Sequence, residues 1–172
     1  MRRRAAILSL PALLSACATS RSVDDGTDVP AGSGLLVVHV SGMQSGTLGF
    51  NPYGESSFGS RFAENMVGAK GLLFFEPEGH FVVRPLEAGE YMWTKLATGN
   101  QYAWLLNSTR FSVARSTITY IGHLRVLISG SRYGVRVFDR EADTRAYLTE
   151  KFPKYSSALP FKTALADVRL GA

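Results

Sequence analysis

The sequence predicts a mainly β protein, an antiparallel β-sandwich with one C-terminal surface helix. About seven or eight short segments rich in β-branched and aromatic residues follow Leu35. Glycine and proline turn signals separate these segments, as in sandwiches built from short strands. The chain is 45% hydrophobic and 11% aromatic, which suits a packed core rather than disorder. We therefore expect residues 35–172 to form a single β-sandwich domain.

The first predicted strands follow from apolar runs and the turn residues beside them. Residues 35–40 form a β-branched apolar run between two glycines, which predicts a buried strand. The glycine-rich residues 42–60 predict a long loop or a ragged hairpin. Residues 71–75 and 79–84 are apolar runs separated by Glu-Pro-Glu-Gly, so we expect a tight turn that joins them as a hairpin.

The second half of the domain continues this pattern and then changes to a helix. Further strands are predicted at residues 90–96, 110–114, 117–121, 123–129 and 132–138. Apolar residues alternate in the last two strands, and Gly130 lies between them, which predicts a second hairpin. Asp139 can cap a surface helix that runs to about Phe152, since Pro153 blocks its continuation. Residues 163–169 are expected to return as a final edge strand.

Three short motifs support a resemblance to known envelope proteins. Residues 85–91 (Pro-Leu-Glu-Ala-Gly-Glu-Tyr), 111–113 (Phe-Ser-Val) and 118–122 (Ile-Thr-Tyr-Ile-Gly) occur in this order. The pattern resembles bacterial lipoproteins of the DUF2846-like type and the related prealbumin-like or carboxypeptidase-regulatory-like sandwiches, over about residues 35–138. The resemblance implies a prealbumin-like or immunoglobulin-like sandwich in the cell envelope and assigns no chemistry. Within it, Gly89 is expected to permit a turn of unusual backbone geometry, and Gly122 a bulge or a close approach of another chain segment.

The N-terminus has the anatomy of an export signal. Arginines occupy positions 2–4, a short apolar run follows at 5–14, and small residues precede Cys17. The run is too short to span a bilayer as a permanent helix. Residues 14–17 (Leu-Ser-Ala-Cys) resemble the bacterial lipobox, whose cysteine receives a diacylglyceryl group. This implies a lipoprotein signal peptide at 1–16 and membrane attachment through Cys17, while Ala18 implies the outer membrane, facing the periplasm.

Residues 17–34 are expected to be a lipidated, flexible tether. They are small and polar, with Pro30 and several glycines, and they show no apolar periodicity. Asp24, Asp25 and Asp28 are interpreted as solvated charges rather than as a cation site.

Composition excludes several classes of function. Of 19 basic and 14 acidic residues, three arginines belong to the signal, so the mature chain is close to neutral and nucleic-acid binding is not expected. Cys17 is the only cysteine, and its acylation would leave no thiol for a disulfide, a thiolate metal site or a nucleophile. His39, His80 and His123 are about forty residues apart, unlike the short-spaced ligand pairs of zinc sites. No cofactor and no metal are predicted.

The predicted function is binding rather than catalysis. The sequence has no Gly-x-Ser-x-Gly elbow and no obvious group of converging polar residues, so the chain is not predicted to be an enzyme. We expect an envelope-anchored lipoprotein that acts as a non-catalytic binding or assembly module for an envelope protein or glycan. Phe50, Tyr53 and Phe58, in the glycine-rich segment, are the predicted contact residues. In the alternatives, these aromatic residues fill the core, or the protein is a periplasmic hydrolase acting on envelope material.

Overall fold

The computed structural model describes residues 22–53, 71–105, 110–129 and 132–168. Cys17 and Phe58, two of the predicted site residues, lie outside these ranges, as do Gly130 and Ser131 of the predicted hairpin turn. The described residues form two β-sheets with a shared hydrophobic core, and helices cover the outer face of the first sheet. The prediction of a mainly β sandwich is confirmed.

Ten strands and two helices are present in the described part of the chain. The first sheet consists of β1 (Ser33–Gly42), β4 (His80–Glu87), β8 (Ile118–Ser129), β9 (Arg132–Phe138) and β10 (Phe161–Thr163). The second sheet consists of β2 (Gly46–Pro52), β3 (Gly71–Phe75), β5 (Gly89–Thr98), β6 (Gln101–Trp104) and β7 (Arg110–Val113). The helices are α1 (Glu141–Lys151) and α2 (Pro153–Ala158).

The first sheet is mixed rather than wholly antiparallel. Strand β1 pairs antiparallel with β4 but parallel with β8, and β10 also runs parallel to β8. The periodicity of a strand does not specify the direction of its neighbour, so the sequence did not reveal these parallel pairs. Alternate residues of β1 face opposite layers, with Leu36 and Val38 between the sheets and Leu35 and Val37 beneath the helices. Burial on both faces explains the unbroken apolar run of this strand.

The predicted hairpin at residues 71–84 is wrong. Strand β3 pairs with β2, whereas β4 pairs with β1, so the chain crosses from one sheet to the other between them. The turn itself is present, since the Gly79 N–H donates to the Glu76 carbonyl at 3.1 Å and Gly79 has φ +70°. The Gly42 N–H donates to the same carbonyl at 3.0 Å. The turn therefore redirects the chain to a second sheet instead of folding it back.

Gly122 provides the predicted bulge. The two strands expected at 117–121 and 123–129 are one continuous strand, β8, in which Gly122 has φ +108°. Its pairing with β1 steps from Val37–Tyr120 to His39–His123 across this residue. The glycine lets the strand absorb an extra residue in a left-handed backbone conformation. The β8–β9 hairpin is also confirmed, with Ser129 opposite Arg132.

Gly89 does not have the special geometry that was expected of it. It is not among the residues with positive φ, and a Cβ placed on it would meet no atom within 4 Å. The turn before β5 is held instead by the Tyr91 hydroxyl, which donates to the Glu87 carbonyl at 2.7 Å.

Two consecutive helices replace the single predicted one. Asp139 accepts the Glu141 N–H at 3.0 Å, and Glu141 pairs with Arg145 at 2.7 Å, as the i,i+4 spacing suggests. Pro153 ends α1 but also begins α2, because a proline suits the first turn of a helix, where its missing N–H costs no bond. The two helices and the residue between them cover the first sheet with three buried hydrophobic side chains, Leu148, Phe152 and Tyr155.

The segment from Ser22 to Gly32 is folded against the domain. The Ser22 hydroxyl makes two hydrogen bonds with the backbone of β4. It accepts the Val83 N–H at 3.0 Å and donates to the Phe81 carbonyl at 3.3 Å. Asp25 accepts the N–H groups of Lys154 and Tyr155 at 3.2 and 3.3 Å, the first turn of α2. The prediction of a flexible tether is therefore wrong from Ser22 onward. The segment is held in place because the Asp25 carboxylate stabilises the start of α2, which lies 129 residues later in the chain.

Candidate functional site

Phe50 is a core residue, which corrects the prediction that it forms a contact surface. Its side chain is 2% exposed and packs edge-on against Tyr91, Trp93 and Phe111, with ring centroids 5.7, 6.0 and 5.4 Å away. Strand β2 begins within the segment that was expected to be irregular, and it turns Leu48 and Phe50 inward in alternation. The glycines around these two residues conceal that period-2 pattern in the sequence.

Tyr53 is half-buried just beyond the end of β2. Its N–H donates to the Glu90 carbonyl at 2.7 Å, and the Arg110 guanidinium carbon lies 3.2 Å from the centre of its ring. Arg110 also pairs with Glu90 at 3.2 Å. Tyr53 is therefore one face of a small surface stack rather than a free side chain. The prediction for Phe58 falls outside the described residues.

An apolar cleft opens between the two sheets at the end where β1 begins. Its volume is about 350 Å3. The first sheet and the segment before it supply one side, and the ends of β2 and β5 supply the other. The lining residues are Pro30, Ser33, Phe50, Pro52, Pro85, Leu86, Glu87 and Tyr91. Pro30, Pro52 and Pro85 are far apart in the sequence, so their spacing gives no sign that they line one cleft.

One wall of the cleft is held by ring packing and by a hydrogen bond. The Tyr91 ring stacks on Phe111 with centroids 5.2 Å apart and an interplanar angle of 12°, while its hydroxyl is held by the Glu87 carbonyl. These two contacts hold the Tyr91 ring in the wall of the cleft. Pro85 lies on β4, an edge strand of the first sheet, where a missing N–H is tolerated.

A half-buried cation lies behind Phe50. The Arg84 guanidinium is 5.7 Å from the Phe50 ring centre and donates to the Leu72 carbonyl at 3.4 Å, which joins β4 to β3 across the sandwich. Burial lowers the pKa of Arg84. Within the described ranges Arg84 has no carboxylate in ion-pair contact. The interior beside the cleft is therefore positive as well as apolar.

A row of rings crosses the outer face of the first sheet beside the helices. Phe81, His39, His123 and Phe138 occupy adjacent strands in register. Ring centroids lie 4.7 Å apart for His39–Phe81, 4.2 Å for His39–His123 and 5.9 Å for His123–Phe138. Two of the histidines that are far apart in sequence thus touch. The parallel β1–β8 pairing that brings them together leaves no signal in their spacing.

Among the described residues, Ser41 and His123 most resemble a nucleophile and base of a catalytic site. The Ser41 Oγ and the His123 Nε2 are 2.9 Å apart. Burial, with the nearby positive charges of Arg140 and Arg125, lowers the pKa of His123, so the ring is neutral at neutral pH. Ser41 is only 7% exposed, however, which leaves little access for a substrate. Across the described residues, no three His, Cys, Asp or Glu side chains are grouped so as to hold a metal ion.

His39 should make folding stability depend on pH. Burial, and secondarily the charge of His123, lowers its pKa from 6.5 to about 4, and its Nδ1 has no hydrogen-bond partner in the described structure. Between these two values the unfolded chain binds a proton at this residue and the folded chain does not. The free energy of unfolding should therefore decrease as pH falls from 6.5 to 4. Urea titrations at several pH values measure this slope.

The matched variant for this measurement is His39→Phe, which keeps an aromatic ring between Phe81 and His123. Carboxylates also titrate in this interval, so the test is the difference between the two proteins. The variant should lose less stability than the wild type on acidification. Parallel curves for the two proteins would show that His39 does not resist protonation in the folded state.

Comparison of the chain with protein-family models, with curated proteins and with solved structures returns no match. Within the described ranges, neither helix has the length and apolar character needed to cross a membrane.

Proposed function

We propose that this protein is an envelope-anchored lipoprotein that acts as a non-catalytic binding or assembly module. The cleft between the sheets carries this proposal, because it is concave and mostly apolar and its Tyr91 wall is held by stacking and a hydrogen bond. At about 350 Å3 it is at the small end of ligand pockets, which suits one or two apolar side chains of an envelope protein. A glycan fits less well, since prolines 30, 52 and 85 offer no N–H to its hydroxyls.

The anchor in this proposal is an acyl group on Cys17 at the periplasmic face of the outer membrane. Replacing Cys17 with Ser should abolish labelling by a fatty-acid analogue and release the protein to the soluble periplasmic fraction. The variant is best exported behind a cleavable secretory signal, because an uncleaved apolar leader would itself hold the chain in the membrane. An unlabelled variant that stays with membranes after a salt wash would contradict the lipid anchor.

The binding site can be tested by photo-crosslinking in intact cells. A photoreactive residue at Glu87, on the rim of the cleft, should capture one defined envelope protein. The same residue at Glu150, an exposed glutamate on α1, is the matched control and should capture far less of it. Equal capture from both positions, or capture from Glu150 alone, would place the contact surface elsewhere.

The Ser41–His123 pair is the one observation that favours a hydrolase instead. It supplies a nucleophile and a base in hydrogen-bond contact, but no described carboxylate is bonded to His123 to orient the ring, and Ser41 is nearly covered. Hydrolysis of an envelope polymer by the purified protein, lost on Ser41→Ala without a change in melting temperature, would replace the binding proposal.

A further inference from the structure

We propose that one end of the sandwich rests on the phosphate-bearing headgroups of the membrane that holds Cys17. This end, called the hairpin end, consists of the β1–β2 turn (43–45), the β3–β4 turn (76–79), the β5–β6 turn (99–100) and the outer rungs of the β8–β9 hairpin. The inference rests on the lipid anchor of the proposed function. It adds a second contact with the bilayer, made by the folded domain itself.

Side-chain contacts show that these turns meet at one end of the molecule. The Tyr133 hydroxyl on β9 lies 3.4 Å from the Gln101 Oε1, to which it donates, on β6 of the other sheet. Gln44, in the β1–β2 turn, donates to the Thr98 hydroxyl at the end of β5, at 3.2 Å. The apolar cleft lies at the opposite end, where β1 and β5 begin.

The hairpin end exposes large apolar side chains. Met43 is 62% exposed, Tyr102 57% and Phe74 44%, and these are three of the five large hydrophobic side chains exposed in the described structure. Phe74 and Tyr102 share one rung of the second sheet, joined through Thr47 and Ala97. Apolar and tyrosine side chains on a surface favour the region between headgroups and acyl chains.

Arginines line the hairpin on its outer face. Arg125 and Arg136 are directly opposite each other in the β8–β9 pairing, an arrangement of like charges that destabilises a sheet. Arg132 lies four rungs further along, on the same face of the sheet and beyond Gly134. All three are exposed, and none has an ion-pair partner in the described part of the chain. A phosphate relieves their repulsion and accepts paired hydrogen bonds from guanidinium groups.

The acidic groups of this end lie on its other side. Glu76 and Glu78 are in the turn that leads into β4, and β4 is separated from β9 by three strand spacings, about 14 Å. The negative charges therefore do not neutralise the arginines. An anionic phospholipid at the hairpin would supply the negative charge that the arginines lack.

The length of chain before Ser22 brings the membrane to this end. Four residues separate Cys17 from Ser22, so the two are at most about 17 Å apart. Ser22 contacts Phe81, one residue from the start of β4 at the hairpin end, and from there the chain runs along β4 toward the cleft. Acyl chains on Cys17 would therefore hold a bilayer at the hairpin end, entering on the β4 side, about 14 Å across the sheet from the strand that carries Arg132 and Arg136. This proximity favours the lipid surface over an acidic protein or a polyanionic glycan.

The test uses the acylated protein, purified and reconstituted into vesicles containing anionic phospholipid. Because Cys17 is the only cysteine and would be acylated, an introduced cysteine is the sole free thiol for a fluorophore. Labels at Met43→Cys and Tyr102→Cys should be quenched several-fold more by headgroup nitroxide lipids than a label at Arg115→Cys, in the turn at the cleft end. Equal quenching at the three positions, or stronger quenching at position 115, would overturn the inference.

Charge variants test the role of the arginines. The double variant Arg125→Glu/Arg136→Glu should decrease the quenching of the Tyr102→Cys label. When both arginines are present, added salt should also decrease this quenching. Arg115→Glu is the matched control and should have no effect. Gly134→Glu is a second variant that places a carboxylate between Arg132 and Arg136, where a Cβ would meet Leu127 at an ordinary 3.7 Å. Quenching unaffected by all of these hairpin changes would overturn the assignment to anionic headgroups.

The outcomes separate this inference from the anchor on which it rests. A protein whose mass shows no acyl group on Cys17, and which fails to enter vesicles, contradicts the anchor. If the protein is acylated and enters vesicles but its labels at positions 43 and 102 stay in water, the anchor is supported and the inference is overturned. Protection of those labels only in native envelope fragments would assign the hairpin end to a polyanionic glycan or a protein.

Discussion

Gly34→Ala should lower the free energy of unfolding by about 3 kcal/mol. A Cβ at this position would lie 1.9 Å from the Ala114 carbonyl oxygen and 3.0 Å from that of Thr117. Both contacts are with backbone, so no side-chain rotation can relieve them. The surrounding hydrogen bonds would also be displaced, because the Ser116 N–H donates to the Ser33 carbonyl and the Leu35 N–H to the Thr117 carbonyl, each at 2.9 Å. Chemical denaturation measures the change.

Gly89→Ala is the matched control for this experiment. A Cβ on Gly89 meets nothing within 4 Å and its φ is not positive, so stability should stay within about 0.5 kcal/mol of the wild type. If Gly34→Ala behaves like Gly89→Ala, the close approach of β1 to the turn at 114–117 does not occur in solution. If Gly89→Ala lowers the free energy of unfolding more than Gly34→Ala does, the close backbone contact is at Gly89 and not at Gly34.

Phe50→Ala should cost about 3–5 kcal/mol of folding stability. Its ring is 2% exposed and contacts three aromatic rings of β5 and β7, so truncation leaves a cavity in the middle of the core. Thermal unfolding of the variant should show a markedly lower melting temperature.

Tyr102→Ala provides the comparison, because Tyr102 is 57% exposed at the hairpin end. It should change stability by no more than about 0.5 kcal/mol. A Phe50→Ala protein that melts like the wild type would mean that Phe50 is at the surface after all. Phe50 would then again be a candidate contact residue for a binding partner.

Local pattern predicted where the strands are and not which strands pair. The period-2 alternation of residues 132–138 and the apolar run at 35–40 are visible within a few residues, so both strands were placed well. The partner of a strand depends on residues far away in the chain. Residues 71–75 and 79–84 show this, because a turn sequence between them is equally compatible with a hairpin and with a crossing between sheets.

The candidate site was harder to predict, since long-range contacts assemble it. Phe50 was chosen for its glycine-rich neighbourhood, but strand β2 buries it. The His39–His123 contact depends on a parallel pairing across most of the domain. Asp25 was interpreted as a solvated charge, because its partners in α2 are 129 and 130 residues away. The prediction of an export signal before Cys17 depends only on local sequence, because such a signal is defined by the order of its residue types and not by a folded structure.

The contacts of Ser22 and Val23 with β4 protect a border of the first sheet. Strand β4 ends the hydrogen-bonded order of the first sheet, and an uncovered strand at such a border is a template for pairing with a neighbouring molecule. Ser22 accepts the Val83 N–H and Val23 donates to the Val83 carbonyl, so the chain occupies the backbone groups of β4 at this point. Under the proposed lipid anchor, copies of the protein would diffuse in two dimensions and collide often. By covering its own border strand, each copy resists joining the next into a continuous intermolecular sheet.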